Sequence, residues 1–436
     1  MPYLKLLPKS LFFALLFLLP NCTTIKESRD TKNETAHTPA NYFLAAERFE
    51  RKKQHHQMNQ ANLHKALNAY FTNAISQNKI IGAGVSVVKG DSIVFEGGFG
   101  MRNYKKKDQI DAHTVFRLGS LSKGFAGVLS AVHVNNGVMK WDDKVVDALP
   151  NFKLGNTGNT KRITLAHILS QSSGTPYHSY TDLVEAGLEL SDIADRFDRV
   201  KPNAAPGIEY SYQNAIFAFS GKMIEKATGK TLSESLESSL FEPLSMHSAS
   251  STYDGLIDTG NFAVPHSKGK YGWRRISINR KYYNAIAAGG INASANDMAQ
   301  WVKFILHNQE SLSAVFEPKI KILESRKYYQ RWPEHISSHY GLGWRIHKYV
   351  DTQTQTEKTI WHHGGTVSRY RNEIAIFPED NLGFTILFNS LSPLASTIVP
   401  DLHKLIKENW QEYSELEGEN AILASNPEKS TGALGI

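Results

Sequence analysis

Patterns typical of β-strands lie near both ends of this chain, and helical patterns fill the middle. Near the start, two apolar runs at 84–88 and 92–95 flank a Lys-Gly-Asp turn, which predicts a β-hairpin. The later strand patterns lie at 343–347, 359–362, 372–377 and 383–388. This arrangement predicts an α/β fold of the α+β type. Strands from both chain ends would form one antiparallel sheet, flanked by helices and carrying a mainly helical inserted region.

The first 22 residues have the pattern of an export signal. Lys5 and Lys9 accompany an apolar run over 11–19, which is shorter than the roughly 20 residues that a membrane-spanning helix needs. Cys22, the single cysteine of the chain, follows this run. The segment resembles a bacterial lipoprotein signal, in which that cysteine is lipidated; an ordinary cleaved signal with an incidental cysteine is the alternative. We therefore expect an exported protein, periplasmic or anchored to a membrane of the bacterial cell envelope through lipid on Cys22.

Shifts in composition divide the rest of the chain. The predicted boundaries are 1–22 for the signal, 23–60 for a polar tether, 61–416 for one folded domain and 417–436 for a disordered tail. Within the domain, the sheet region comprises 61–117 and 302–416, and the helical region comprises 118–301. The 49 basic and 42 acidic residues give a net charge of +7 over 436 residues. So mild an excess is typical of a solvated basic face, and with export it predicts no nucleic-acid partner.

The segment Ser120-Leu121-Ser122-Lys123 is the first candidate for chemistry. Apolar residues follow it at helical spacing, so Ser120 is expected at a helix N-terminus, where unpaired backbone N–H groups favour developing negative charge. Lys123 is three residues further on, hence on the same face and within reach of the Ser120 hydroxyl. A lysine that is partly desolvated there can lose its proton and act as a base.

Two later segments complete a pattern. A Pro-Gly approach leads to Tyr212-Gln213-Asn214, and His362-His363-Gly364 lies between two strand patterns. Ser-x-x-Lys, Tyr-x-Asn and His-x-Gly in this order resemble the serine β-lactamase and penicillin-binding-protein superfamily. The branch most similar is the class C β-lactamase-related serine hydrolase family, which includes DD-peptidases and carboxylesterases. Supporting phrases lie at 165–176, 287–306, 340–344 and 377–389. The resemblance covers roughly 65–410 and implies a β-lactamase/transpeptidase-like fold.

The resemblance also implies catalytic roles. Ser120 would be the acylated nucleophile, and Lys123 and Tyr212 would share proton transfer. Which of these two is the general base stays open. His362 would face the carboxylate side of the substrate and complete the proton network.

Binding roles follow in the same way. Asn214 would orient the substrate, and the backbone N–H groups of Ser120 and Gly365 would form an oxyanion hole. Gly364 and Gly365 would leave the strand edge clear for the substrate, because neither carries a side chain.

These residues imply a serine hydrolase that forms an acyl-enzyme with an amide or ester carbonyl of a small molecule or peptide, without metal or organic cofactor. True β-lactamases usually have Lys-Thr-Gly where His362 begins its motif, so the resemblance favours a peptidase or esterase over a β-lactamase. A β-lactamase stays an alternative, as does a non-catalytic lipoprotein that uses the fold for binding or scaffolding. A metal enzyme is disfavoured, since His335 and His339 lack the acidic partner of a zinc motif.

Overall fold

The structure, a computed structural model, describes residues 39–323 and 334–414. The predicted signal, Cys22 and the predicted tail at 417–436 lie outside the described residues. The chain divides into two compact units, one formed by Met1–Arg51 with Leu416–Ile436 and the other by Lys52–Glu415. In the first unit, residues 39–51 are helical. The fold and the candidate site described below belong to the second.

Thirteen strands occur among the described residues. They are β1 (Gly82–Lys89), β2 (Ser92–Asn103), β3 (Asp108–Gln109), β4 (Phe116–Arg117), β5 (His266–Gly269), β6 (Gly272–Arg275), β7 (Asn292–Ala293), β8 (Ile320–Lys321), β9 (His335–Tyr340), β10 (Arg345–Asp351), β11 (Thr356–Val367), β12 (Tyr370–Phe377) and β13 (Leu382–Phe388).

The α-helices of the described residues lie mostly between β4 and β8. They are α1 (Pro39–Ser76), α2 (Ser122–Asn135), α3 (Val145–Ala148), α4 (Thr157–Arg162), α5 (Leu165–Leu169), α6 (Thr181–Ala186), α7 (Leu190–Asp195), α8 (Ala215–Thr228), α9 (Leu232–Leu236), α10 (Tyr253–Asp258), α11 (Ile286–Gly289), α12 (Ala295–His307), α13 (Ser313–Phe316) and α14 (Ile398–Asn409). None of the helices within 39–323 and 334–414 combines the length and apolar character needed to cross a bilayer.

Nine strands form one antiparallel sheet in the order β3-β2-β1-β13-β12-β11-β10-β9-β8. Strands from the two ends of the chain meet inside it, because β1 pairs with β13 and Ala83 lies opposite Phe388. The predicted fold class is therefore confirmed. The main difference lies at the far edge of the sheet, where β8 and β9 extend it beyond the predicted strands.

Each face of the sheet covers its own apolar core. One core packs α1 and α14 against the sheet; Leu63, Leu67 and Phe71 recur at helical spacing on α1 and are fully buried there. The other core lies between the sheet and the helical region, and includes Phe125 of α2 stacked on Trp301 of α12. Burial of each such side chain contributes roughly 1.5–3 kcal/mol. We call the face of the sheet that packs against the helical region its helical face.

Residues 39–60 of the predicted tether at 23–60 are helical, because α1 begins at Pro39; the division into tether and domain stays a prediction. The polar side chains near residue 60 have partners at the C-terminal end of the domain. Asn59 Nδ2 donates to the carbonyl of Gln411 at 2.7 Å, and the rings of His56 and Trp410 meet edge to face. Around residues 56–59, α1 is thus held by hydrogen bonds and ring contacts, and its apolar stripe begins only at Leu63.

Candidate active site

Ser120 lies in a short 3₁₀ turn, Gly119–Leu121, that leads directly into α2. The turn rests against β11. Gly119 has φ +57°, and a Cβ atom there would lie 2.9 Å from the backbone nitrogen of Thr366, so glycine is required on both counts. Ser120 itself is partly exposed. The expected position of Ser120 at the start of a helix is therefore what the structure shows.

Lys123 is the buried lysine of this site. It is fully buried in the first turn of α2. Its Nζ atom lies 3.3 Å from Ser120 Oγ, 2.8 Å from Asn214 Oδ1 and 2.8 Å from the carbonyl oxygen of Ala288. Burial, with a smaller effect from the Arg345 guanidinium, holds the pKa of Lys123 well below its usual value. Burial thus favours the neutral amine more than water does.

Tyr212 approaches Ser120 from the loop before α8. Its hydroxyl donates to Ser120 Oγ at 2.9 Å. The loop is held in place by Gln171, whose side chain accepts from the backbone N–H of Gln213 and whose carbonyl accepts from Ser211. Burial raises the pKa of Tyr212, although Arg345 and the bond to Ser120 oppose this effect. Tyr212 is therefore a neutral phenol.

Asn214 completes this group and contacts two of its neighbours. Its Oδ1 atom faces Lys123, and its Nδ2 donates to the hydroxyl of Tyr282 at 3.2 Å. Asn214 is buried, with 4% of its surface exposed. Both ends of the amide contact other side chains, so Asn214 supports Lys123; its role in orienting the substrate stays a prediction.

The prediction for His362 is wrong, and His363 has the place expected for it. His363 Nε2 lies 2.9 Å from the hydroxyl of Tyr340, and its ring centre is 6.4 Å from that of Tyr212. His362 points to the other face of the sheet, where its Nε2 lies 2.8 Å from Glu373 Oε2. The reason is the alternation of side chains along a strand, which sends neighbours to opposite faces.

The bonding of His363 defines its protonation. Its Nδ1 lies 2.8 Å from the carbonyl oxygen of Gly364, which can only accept, so Nδ1 carries the proton and Nε2 accepts from Tyr340. Burial, together with the positive charges of Arg345 and Lys123, holds the pKa of His363 well below its usual value. His363 is thus a neutral, oriented side chain beside the tyrosines.

The structure shows which atoms lie against Gly364 and Gly365, where the sequence predicts space for a substrate. A Cβ atom at Gly365 would lie 2.1 Å from the carbonyl oxygen of Leu118, so Gly365 lets the Ser120 turn pack on β11. A Cβ atom at Gly364 would lie 2.8 Å from Arg371 Nη1, on the opposite face. Packing against backbone thus explains Gly365, whereas the atoms beside Gly364 are the ends of longer side chains.

Arg345 is the residue of this site that the sequence analysis missed. It begins β10, with its guanidinium carbon 5.7 Å from the ring centre of Tyr212 and 5.9 Å from that of Tyr340. Gly343, at φ +86°, packs its α-carbon on the carbonyl of Lys123 and so brings this segment to the site. The phrase at 340–344 was the available signal, since Arg345 follows it directly.

These groups provide a hydroxyl, an amine, a phenol and a nearby guanidinium in one place. Among the residues that the structure describes, no group of three or more His, Cys, Asp or Glu side chains is placed to hold a metal ion. This fold and this set of side chains define the class of the serine β-lactamases and penicillin-binding proteins.

Comparison with known proteins identifies the family. The Beta-lactamase family model matches residues 65–405, and the chain belongs to that family. A relative in Escherichia coli (strain K12), named Beta-lactamase, is 24% identical over 351 residues, which cover 74% of this chain and 88% of that protein.

Two further similarities are of the same kind. Protein flp of Staphylococcus aureus (strain NCTC 8325 / PS 47) is 23% identical over 346 residues, 78% of this chain; the chain spans 66% of that relative's length. The octameric penicillin-binding protein homologue from Pyrococcus abyssi has a TM-score of 0.65 and 23% identity, covering 78% of this chain and 77% of that one. This structural likeness confirms the fold.

Proposed function

We propose that this protein is a serine hydrolase that forms an acyl-enzyme on Ser120 with an amide or ester substrate. The observation that carries the proposal is the contact of Ser120 Oγ with both Lys123 Nζ and Tyr212 Oη, at 3.3 and 2.9 Å. Family membership supports it, because serine hydrolysis is what this fold and motif order imply.

The hydrogen bonds around Lys123 support one direction of proton transfer. A neutral amine has two N–H donors and one lone pair. Asn214 Oδ1 and the carbonyl of Ala288 can only accept, so they take the two donors. The lone pair is left for the hydroxyl of Ser120. Lys123 is therefore the general base of acylation, and Tyr212 is the acid.

The acylation step follows from these roles. Ser120 Oγ bonds to the substrate carbonyl carbon as its proton moves to Lys123 Nζ, and negative charge develops on the carbonyl oxygen. The backbone N–H groups of Ser120 and Gly365 are the proposed donors to that oxygen. One such donor lowers the activation free energy by roughly 3 kcal/mol. The C–N or C–O bond then breaks, and the leaving group takes the proton of Tyr212. The proton on Lys123 returns to Tyr212, so both groups are ready for attack by water.

The position of Arg345 indicates the substrate's charge. A guanidinium beside Tyr212 and Tyr340 is suited to a carboxylate on the substrate. The proposed substrate is therefore an acidic ester or a peptide with a free carboxylate. His363 in place of lysine favours these over a β-lactam.

The test uses purified protein and a Ser120→Ala variant. A fluorophosphonate probe is expected to label the wild type and not the variant. A panel of p-nitrophenyl esters, D-Ala-D-Ala peptides and nitrocefin then ranks the three substrate classes. Absence of both labelling and turnover in the wild type would contradict the proposal and favour a scaffolding protein. Fast hydrolysis of nitrocefin alone would instead establish a β-lactamase.

We further propose export and lipid attachment at Cys22. Support comes from the sequence alone, namely the basic start, the apolar run over 11–19 and the cysteine after it. Radiolabelled palmitate is expected to enter the wild type and not Cys22→Ser when both are expressed in a bacterium. Release of an unlabelled wild-type protein into the periplasm would show an ordinary cleaved signal.

A further inference from the structure

Three successive residues of β12 connect the two halves of the candidate site. Asn372 lies opposite Gly365 in the strand pair, and its neighbours Arg371 and Glu373 lie opposite Thr366 and Gly364. Because side chains alternate along a strand, Asn372 points to the helical face while Arg371 and Glu373 point to the other face. The stretch thus contacts the site from both sides of the sheet.

On the helical face, Asn372 holds the turn that carries the nucleophile. It is fully buried, and its Nδ2 donates to the carbonyl oxygen of Arg117 at 2.9 Å and to that of Leu118 at 3.1 Å. These carbonyls directly precede the turn at 119–121. One side chain of β12 is therefore bonded to the backbone two residues before Ser120.

On the other face, Arg371 and Glu373 hold β11. Glu373 is only 1% exposed, and its carboxylate accepts from Arg371 Nη2 and lies 2.8 Å from His362 Nε2. Arg371 Nη1 also donates to the carbonyl oxygen of Gly365 at 3.4 Å. A Cβ atom at Gly364 would lie 2.8 Å from Arg371 Nη1 and 2.9 Å from Glu373 Oε2. The ion pair therefore lies flat against the strand beside Gly364.

Burying a carboxylate lowers the free energy of unfolding unless the carboxylate is fully paired. Replacing a buried ion pair with apolar residues often leaves stability unchanged or raises it. Stability is thus a weak explanation for this pair, and its contacts with β11 offer another. We propose that Arg371, Asn372 and Glu373 are positioning residues that set the distance between the Ser120 turn and Gly365. That distance separates the two N–H groups proposed to bind the oxyanion, so the inference rests on the proposed function.

The test measures ester turnover and amide hydrogen exchange on the same full-length variants. Asn372→Ala and Arg371→Met are expected to lower kcat roughly tenfold or more, with KM within about twofold, because displaced donors weaken only the transition state. Peptides covering 117–122 and 362–367 are expected to exchange faster. Arg371→Lys, which keeps the charge, is expected to recover part of kcat.

The matched control is Lys348→Met, which removes an exposed ion pair with Glu357 from the same sheet. It is expected to change neither kcat nor exchange. Wild-type kcat in both Asn372→Ala and Arg371→Met, or unchanged exchange in the two peptides, would overturn the inference. If Asn372→Ala fails to fold, Glu373→Gln, which keeps the shape of the side chain, is judged by the same two measurements. A wild type that hydrolyses no ester would count against the proposed function, and the exchange data would still decide whether β12 holds the two segments.

Discussion

The side-chain nitrogen of Lys123 lies 2.8 Å from Oδ1 of Asn214, in a site where the lysine is fully buried. An amide oxygen can hold a neutral amine in place without favouring its protonation as strongly as a carboxylate would. The pairing of Lys123 on α2 with Asn214, directly before α8, therefore fits the proposed role of the lysine as a base.

The first prediction concerns Lys123 itself. Lys123→Met is expected to lower kcat for a p-nitrophenyl ester by roughly 10²–10⁴-fold, because general-base catalysis contributes about that much. Circular dichroism is expected to show an unchanged fold, since methionine fills the same buried space. Turnover within threefold of the wild type would remove Lys123 from the mechanism.

The second prediction concerns Arg345 and pH. The positive charge of Arg345 lowers the pKa of Lys123, so Arg345→Met raises that pKa. Lys123 must be unprotonated to act as the base, and activity on a neutral ester is therefore expected to need a higher pH. The acid limb of the kcat/KM profile shifts upward in Arg345→Met. An unshifted limb, or a shift to lower pH, would show that another group titrates there.

The third prediction compares neighbouring histidines. His363→Ala removes the partner of Tyr340 beside Tyr212, whereas His362→Ala acts on the far face of the sheet. Loss of kcat/KM is expected to be greater for His363→Ala by roughly tenfold or more, since it displaces groups next to the reacting atoms. His362→Ala is expected mainly to lower the free energy of unfolding, by about 1–3 kcal/mol. Urea denaturation and ester turnover on both variants decide the comparison.

The fourth prediction concerns stability in acid. Burial raises the pKa of Asp380, but the nearby His403 ring and the hydrogen bond from Lys358 lower it more, to about 2. A carboxyl group whose pKa is lowered by folding stabilises the protein above its unfolded pKa, and this contribution is lost as pH falls. Relative to Asp380→Asn, the wild type is expected to lose about 2 kcal/mol of unfolding free energy between pH 5 and pH 2. Parallel pH dependence in the two proteins would contradict this.

Local spacing explains which site residues could be predicted. Ser120 and Lys123 are three residues apart on one helix, so their contact follows from helix geometry alone. Tyr212 was found through motif order, which carries no distance information. The mutual approach of α2 and β10 depends on packing between distant segments, and Arg345 was missed for that reason.

The choice between His362 and His363 shows a second limit. Both residues fit a His-x-Gly pattern, because two glycines follow two histidines. Shifting a strand by one residue exchanges its faces. Alternation of polar and apolar residues would normally decide the register, but β11 is buried on both faces here and shows no such alternation. Local composition likewise carries no sign of the partners of Asn59 and His56 on α1, since Gln411 and Trp410 lie far along the chain.

The pairing of β1 with β13 has a consequence for how the protein is made. A ribosome synthesises the first of these strands some three hundred residues before the second, so the centre of the sheet stays open until β13 has been made. Long-range pairing of this kind slows folding. A chain cut short before residue 382 would keep the Ser-x-x-Lys, Tyr-x-Asn and His-x-Gly motifs and still lack the strand that closes the sheet, so the proposed nucleophile would lack its framework.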